Sequence, residues 1–402
     1  MKHLTIATVL GMGFLVGFIN SVLSARGSTP QPYPTITYEG QSSDTFQGIV
    51  IKWFKGSYRD LDVAGLNPKD LNFAVALPGG YSADADTVYP LVLYLHGAGG
   101  RGSDLGSVTQ RPVPKSFAAE SQRTPEYAAI ILAPQVPSSD RWVNTPWYNG
   151  PYVQSDQTYT DSMHLTIKLL RYLLDPNNQE AIPETMNIDG LDIDTTRLYI
   201  AGDSMGAYGV WDLVAREPGT FAAAIAGSGS GPKNKLDEIR KTPFWGIHGE
   251  VDPTVPNRLP TASDPDGDGT LGMMALLDPS FDNTASTDII RLDNYADSAD
   301  DPNTLDTLIY TEMPGNFGHA TVAMQWTTRV SGVYPWMFAH RLSKVAPMDS
   351  LVADANGLIQ SINGNDSGYF QGLDADGNEV GPLVPFVKNE DYLKTDYQYI
   401  LN

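Results

Sequence analysis

The 402-residue chain contains no cysteine. Disulfides, thiol catalysis, cysteine zinc sites and a cysteine-linked lipid anchor are thereby excluded together. The stability of such a chain must come from its core and from any ions it binds. Positive charge is scarce too: 26 Lys and Arg stand against 47 Asp and Glu, a formal net charge of −21. No basic patch interrupts this balance, so nucleic acid and anionic membrane surfaces are not expected as partners, and neutral or cationic substrates are favoured. Long apolar runs are almost missing. The exception is the N-terminus, MKHLTIATVLGMGFLVGFINSVLSARG, where Lys2 and His3 precede an apolar run from Leu4 to Leu23, with the small residues Val22 and Ser24 set for cleavage. Residues 1–24 read as a secretory signal peptide. An uncleaved anchor is the rival reading, because the run approaches the roughly 20 residues that span a bilayer. The expectation is a secreted or periplasmic protein with no membrane contact once the signal is removed.

What is present suits a large α/β domain, with 41% hydrophobic residues to build its core. After the signal, residues 25–68 form a polar, proline-containing extension with alternating patches at Thr35–Tyr38 and Ile49–Phe54 that suggest short strands. From there the pattern changes. NFAVALP, YPLVLYLHG and YAAIILAPQVP are short apolar runs ended by Pro or Gly, as expected of strands buried on both faces of a parallel sheet. YTDSMHLTIKLLRYLLD has helical spacing, with Asp161 or Ser162 able to cap it. TRLYIAGDS, FAAAIAGSGSG, TPFWGIHG and DTLIYTEMPG read as further strands, and MGAYGVWDLVARE and VYPWMFAHRLSK as helices. This alternation predicts a mostly parallel sheet with helices on both faces over residues 69–345, broken by an acidic insertion at 257–303. Residues 346–402, rich in turn signals, read as a small hairpin-like appendage.

The chemistry centres on Gly202-Asp203-Ser204-Met205-Gly206, which fits G-x-S-x-G. A pentapeptide of this kind arises often by chance, but here it follows an apolar strand and opens a helix. That is the setting of a nucleophile elbow, in which small residues permit a tight turn that lifts the hydroxyl above the sheet. A serine hydroxyl needs a base, and the base needs a partner to fix its tautomer. Of the six histidines, His3, His96 and His164 precede the serine. His248 lies within a strand and reads as a packed side chain that orients the next loop, and His340 sits in the closing helix. His319, in a Gly-flanked loop after a strand, remains as the base. Asp252 is the preferred acid, being deeper in its loop than Glu250, which is the fallback. LYLHGAGGRGSD supplies small residues whose backbone N–H groups can approach a ligand, so the oxyanion donors are expected from Met205 and Ala98, with Gly99 as the alternate. The glycines of GAGGRG lack the helix-opening context of a dinucleotide fingerprint.

Two further features point to ligands. DRWVNTPWYNGPYVQ is dense in aromatics, and Trp142, Trp147 and Tyr148 are candidates for a substrate platform, the alternative being packing of the loop against the body. SDPDGDGTLGMMALLD places Asp264, Asp266, Asp268 and Thr270 like the opening of a calcium loop, although Ala275 stands where the usual bidentate Glu would be. A structural calcium ion is the expectation there, against a solvated acidic turn. No other cofactor is required.

YPLVLYLHGAGGRGSD, APQVP, IAGDSMGAYGVWDLVAREPGTFAAAIAGSGSG, WGIHGEVDPTVP and FGHA together resemble α/β-hydrolase esterases of the predicted-peptidase branch. That branch lies near the phospholipase/carboxylesterase, feruloyl esterase and polyhydroxybutyrate depolymerase-like groups. The resemblance spans roughly residues 70 to 342 and implies a triad at Ser204, Asp252 and His319, agreeing with the choice made from the residues. It also implies cleavage of a neutral carboxylic ester, small or polymeric. A peptidase on the same triad, or an inactive secreted protein that binds calcium or carbohydrate, are the alternatives. The long insertion, the tail and the lack of cysteine depart from the pattern and leave the substrate open.

Overall fold

The computed structural model describes residues 35–61, 68–81, 87–145, 150–154, 159–174, 191–278, 289–291, 307–313 and 318–342, and the tail strands within 351–387. The signal segment, Trp147 and Tyr148 lie outside the described residues.

Ten strands make one sheet: β1 (Thr35–Phe46), β2 (Ile49–Leu61), β3 (Pro68–Ala76), β4 (Tyr89–Leu95), β5 (Ile130–Gln135), β6 (Ile193–Asp203), β7 (Ala223–Gly227), β8 (Phe244–Gly249), β9 (Ile289–Arg291) and β10 (Leu308–Met313). Their spatial order is β1-β2-β3-β5-β4-β6-β7-β8-β10-β9. The first three strands and the β3–β5 pair are antiparallel. From β5 to β9 every pairing is parallel. The chain reverses its direction of travel across the sheet at β4, so the ends of β4 and β6 lie side by side. Such a reversal is where open α/β sheets bind ligands.

The central strands read as unbroken apolar runs because both faces are covered. Leu91, Leu93 and Leu95 of β4 enter one core, while Val92 and Tyr94 enter the other. Among the described residues six helices of seven residues or more flank the sheet: α1 (Pro112–Arg123), α2 (Asp161–Leu174), α3 (Met205–Arg216), α4 (Gly269–Leu277), α5 (His319–Arg329) and α6 (Val333–Ala339). Helices α2, α3 and α4 pack on the Leu91 side, and α1, α5 and α6 on the Val92 side. This is the layered α/β architecture that the alternation of runs predicts.

One helix lies where the sequence reading assigns no element, and two other segments differ from that reading. Helix α1 has prolines at 112 and 114, residues that a helix tolerates only in its first turn, and this is where they fall. The Gly-flanked loop expected around His319 is a helix from that residue onward, capped by Gly318. Part of the acidic insertion is also helical, since α4 lays Met273 and Met274 into the core. In the tail, β11 (Leu351–Ala353) pairs with β12 (Ile359–Ile362), and β13 (Ser367–Leu373) with β14 (Glu379–Val387), each antiparallel. Among the described residues no helix is long and apolar enough to cross a membrane.

Candidate active site

Strand β6 ends at Asp203 and helix α3 begins at Met205, so Ser204 alone makes the turn between them. Its backbone has φ 54° and ψ −119°, a conformation that costs a residue with a Cβ on the order of 1–3 kcal/mol. Packing holds it there. The Ser204 N–H donates to Gly227 O at 2.7 Å, and the Ser204 carbonyl accepts from Ala207 N at 2.9 Å to start the helix. The flanking glycines are needed because backbone passes where their side chains would be. A Cβ on Gly206 would overlap Leu95 O and lie 2.5 Å from Leu95 C, and one on Gly202 would lie 2.6 Å from Gly206 O.

The Ser204 hydroxyl lies 2.8 Å from His319 Nε2. The other ring nitrogen, Nδ1, lies 2.7 Å from Asp252 Oδ2. A carboxylate only accepts, so Nδ1 carries the proton and Nε2 is left to accept from the serine. Three elements supply the three residues: the β6–α3 turn, the loop after β8, and the start of α5. The structure thus brings together the three residues singled out from the sequence. Glu250, the fallback acid, is exposed at the end of β8, where its N–H donates to Met313 O.

Asp252 is fixed from several sides. Oδ1 accepts from Thr254 N at 2.8 Å and Val255 N at 3.0 Å. Oδ2 also lies 3.4 Å from Nε2 of the buried His248. Burial alone would raise the Asp252 carboxyl, but hydrogen bonds from His248, His319 and Val255 N–H hold it far below the usual carboxylate range. His248 receives Thr270 N–H on Nδ1, so its own proton sits on Nε2, facing Val255 O at 3.1 Å and the carboxylate. The side chain expected to orient the acid loop does so, and it is tied to α4 through Thr270.

The glycine-rich loop lies beside the elbow. Ala98–Gly100 form a short 3-10 turn whose bonds, Gly100 N to Gly97 O and Arg101 N to Ala98 O, leave the Ala98 N–H outside them. Met205 N–H is the first of its helix and meets no intrahelical carbonyl. His96 braces this loop: Nδ1 donates to Gly97 O at 2.7 Å, and Nε2 accepts from Val136 N at 3.0 Å. Burial lowers its imidazole from 6.5 to about 3. Below pH 6.5 the unfolded chain takes up a proton there that the folded chain refuses, so stability falls as the pH drops. Between pH 6.5 and about 5 the loss is about 2 kcal/mol. Denaturant titrations at the two pH values are expected to show it, and His96→Gln should shrink the difference; an equal fall in both proteins would contradict the assignment.

Two sequence expectations are corrected. Trp142 is fully buried, donates from Nε1 to His96 O at 2.8 Å and meets the His96 ring edge-on. Its indole supports the glycine-rich loop from within and does not face substrate, because an apolar ring beside that loop is worth more in the core. Trp142→Ala should therefore cost about 3–5 kcal/mol of stability, as a vacated core aromatic does, with no preferential effect on aromatic substrates. Thermal melts and a comparison of acyl groups check this.

The proposed calcium ligands do not converge. Asp266 is paired with Lys233, and Asp268 with Arg258. Asp264 sits in an exposed turn with Thr261, and Thr270 is buried, its hydroxyl donating to Gly229 O at 3.1 Å. Positive φ at Gly267 and Gly269 turns the chain into α4 instead of wrapping it round an ion. Among the described residues no three His, Cys, Asp or Glu side chains are grouped for a metal. As they stand these residues do not fit a calcium ion.

No family description and no curated protein matches the sequence. Solved structures with a similar fold include a thermostable esterase (22% identity, 78% of each chain covered, TM-score 0.46). Another is the fluorophosphonate-binding serine hydrolase F of Staphylococcus aureus (15% identity, 72% of this chain and 98% of that one, TM-score 0.42). A third is a ferulic acid esterase (12% identity, 71% and 97%, TM-score 0.42). Likenesses of this extent leave function to the site's own geometry. The strand order, the antiparallel pairings at the β1 edge and the serine turn between β6 and α3 are this chain's own features, and by them it has the α/β-hydrolase fold.

Proposed function

We propose that the protein is a serine hydrolase that cleaves carboxylic esters by two-step acyl transfer. The observation that carries this reading is the hydrogen-bonded line from Ser204 through His319 to Asp252, mounted on a turn with φ 54°. In the first step Ser204 Oγ attacks the ester carbonyl while His319 Nε2 takes its proton, and the same proton passes to the departing alcohol. In the second, water attacks the acyl-serine, giving one proton to His319, which passes it to Ser204 Oγ as the acyl–oxygen bond breaks, and the carboxylic acid leaves. Asp252, held ionised, keeps Nδ1 protonated and balances the imidazolium in both steps. The N–H groups of Met205 and Ala98 are the donors for the oxyanion, at a helix start whose field favours negative charge.

The net charge of −21 suits neutral or cationic esters. The signal-like N-terminus supports a secreted or periplasmic location. Hydrolysis of p-nitrophenyl acetate, butyrate and octanoate, methyl ferulate and an anilide peptide by the mature protein and its Ser204→Ala variant tests the reading. Serine-dependent ester cleavage exceeding anilide cleavage is expected. Preference for the anilide would make it a peptidase, and equal rates for protein and variant would remove the hydrolase reading.

A further inference from the structure

Asp203, the residue before Ser204, has a fully buried carboxylate. Arg111 Nη2 lies 2.9 Å from its Oδ2, and Arg111 Nε lies 3.3 Å from the hydroxyl of Tyr94, which itself donates to Oδ1. The three side chains come from the end of β6, the residue before α1, and β4. Burial opposes the Arg111 charge, but the Asp203 carboxylate outweighs it and keeps the guanidinium protonated. Taking both charges out of water is costly, and an apolar replacement often does as well for stability alone.

What rests on the pair is informative. A Cβ on Gly97 would lie 2.5 Å from Asp203 Oδ2 and 3.1 Å from Arg111 Nη2. One on Gly99 would lie 3.4 Å from Arg111 Nη1. The backbone that carries Ala98 N–H therefore lies directly on the ion pair, while Met205 N–H is two residues along the chain from Asp203. One rigid unit thus spaces the two N–H groups proposed for the oxyanion, and none of its side chains is bonded to Ser204 or His319.

We infer that Arg111, through Asp203 and Tyr94, is a positioning residue for the oxyanion donors, an inference that rests on the serine-hydrolase reading. Donors aimed at the oxyanion act chiefly in the transition state, so their misplacement lowers kcat and leaves KM almost unchanged. The test compares wild type with Arg111→Met, Arg111→Lys and Gly97→Ala on a p-nitrophenyl ester, with rates expressed per active site titrated by a fluorophosphonate. Gly97→Ala lifts the loop without removing a charge.

Arg111→Met and Gly97→Ala are each expected to lower kcat by about 10²-fold with KM within about threefold, and Arg111→Lys to recover part of the loss. Binding of a trifluoromethyl ketone should weaken in step with kcat/KM, while binding of the product acid should not. An unchanged kcat per titrated site in Gly97→Ala and Arg111→Lys, with only lower yield or melting temperature in Arg111→Met, would leave the pair a purely structural role and overturn the inference. A rise in KM at constant kcat would overturn it as well. If wild type neither titrates nor turns over, the hydrolase reading fails first, a result distinct from either of these.

Discussion

Replacing Ser204 by alanine is expected to lower ester turnover by on the order of 10⁵-fold or more, while the protein folds and melts much as before. On the proposed mechanism the removed atom is the nucleophile, so what survives is the acceleration that binding and the oxyanion donors give to attack by water, about 10³- to 10⁴-fold over the uncatalysed reaction. Stability should change little, because the hydroxyl's bond is to His319, which is partly exposed and can turn to water. Relief of positive φ is not expected, since alanine at φ 54° meets the same crowding as serine. His319→Ala should be nearly as inactive, and the double variant no worse than either, because the two groups act as one unit. Turnover under saturating ester, corrected for trace wild type, measures this. Additive losses would mean that serine and histidine work separately.

The second large effect is expected at a residue with no chemistry. Gly206→Ala should abolish activity and cost about 3 kcal/mol or more of stability, because the new methyl group would enter the space of Leu95 O and C, with His96 O only 2.9 Å away. These are backbone atoms of a central strand and cannot swing aside. The strand end, the glycine-rich loop and the helix start would have to separate, moving Met205 N–H away from Ala98 N–H. Denaturant unfolding and turnover, measured together, should both fall. A Gly206→Ala protein of normal stability and activity would show that the elbow and the β4 end are not packed as described.

How much of this was legible in the sequence follows from whether a feature is local. The central strands are apolar runs punctuated by Gly or Pro, and helix α3 follows its strand with only Ser204 between, so both could be read residue by residue. The meeting of Ser204, Asp252 and His319 was legible for a related reason. The elbow fixes one residue, and elimination among six histidines leaves one that follows a late strand. His319 nevertheless starts a helix, a fact hidden because TVAMQWTTR is rich in β-branched and polar residues of modest helix propensity.

Features that depend on distant partners could not be read. Arg111 and Asp203 are 92 residues apart, and nothing near either one names the other. Trp142 looks like a surface aromatic beside Arg141 and Asn144, until the fold brings it under His96. The alternating aspartates resemble a cation loop because spacing is all that a motif records. Lys233 lies 33 residues upstream of Asp266 and occupies one of those carboxylates, and Arg258 takes another.

The central claim, that Ser204 is an activated nucleophile, is tested most directly by reaction with a fluorophosphonate followed by intact mass and peptide mapping. A single adduct on Ser204 is predicted, absent from Ser204→Ala and formed at least about 10²-fold more slowly in His319→Ala, since the base that activates the hydroxyl is gone. No adduct on the folded protein, or an adduct on another residue that persists in Ser204→Ala, would contradict the account.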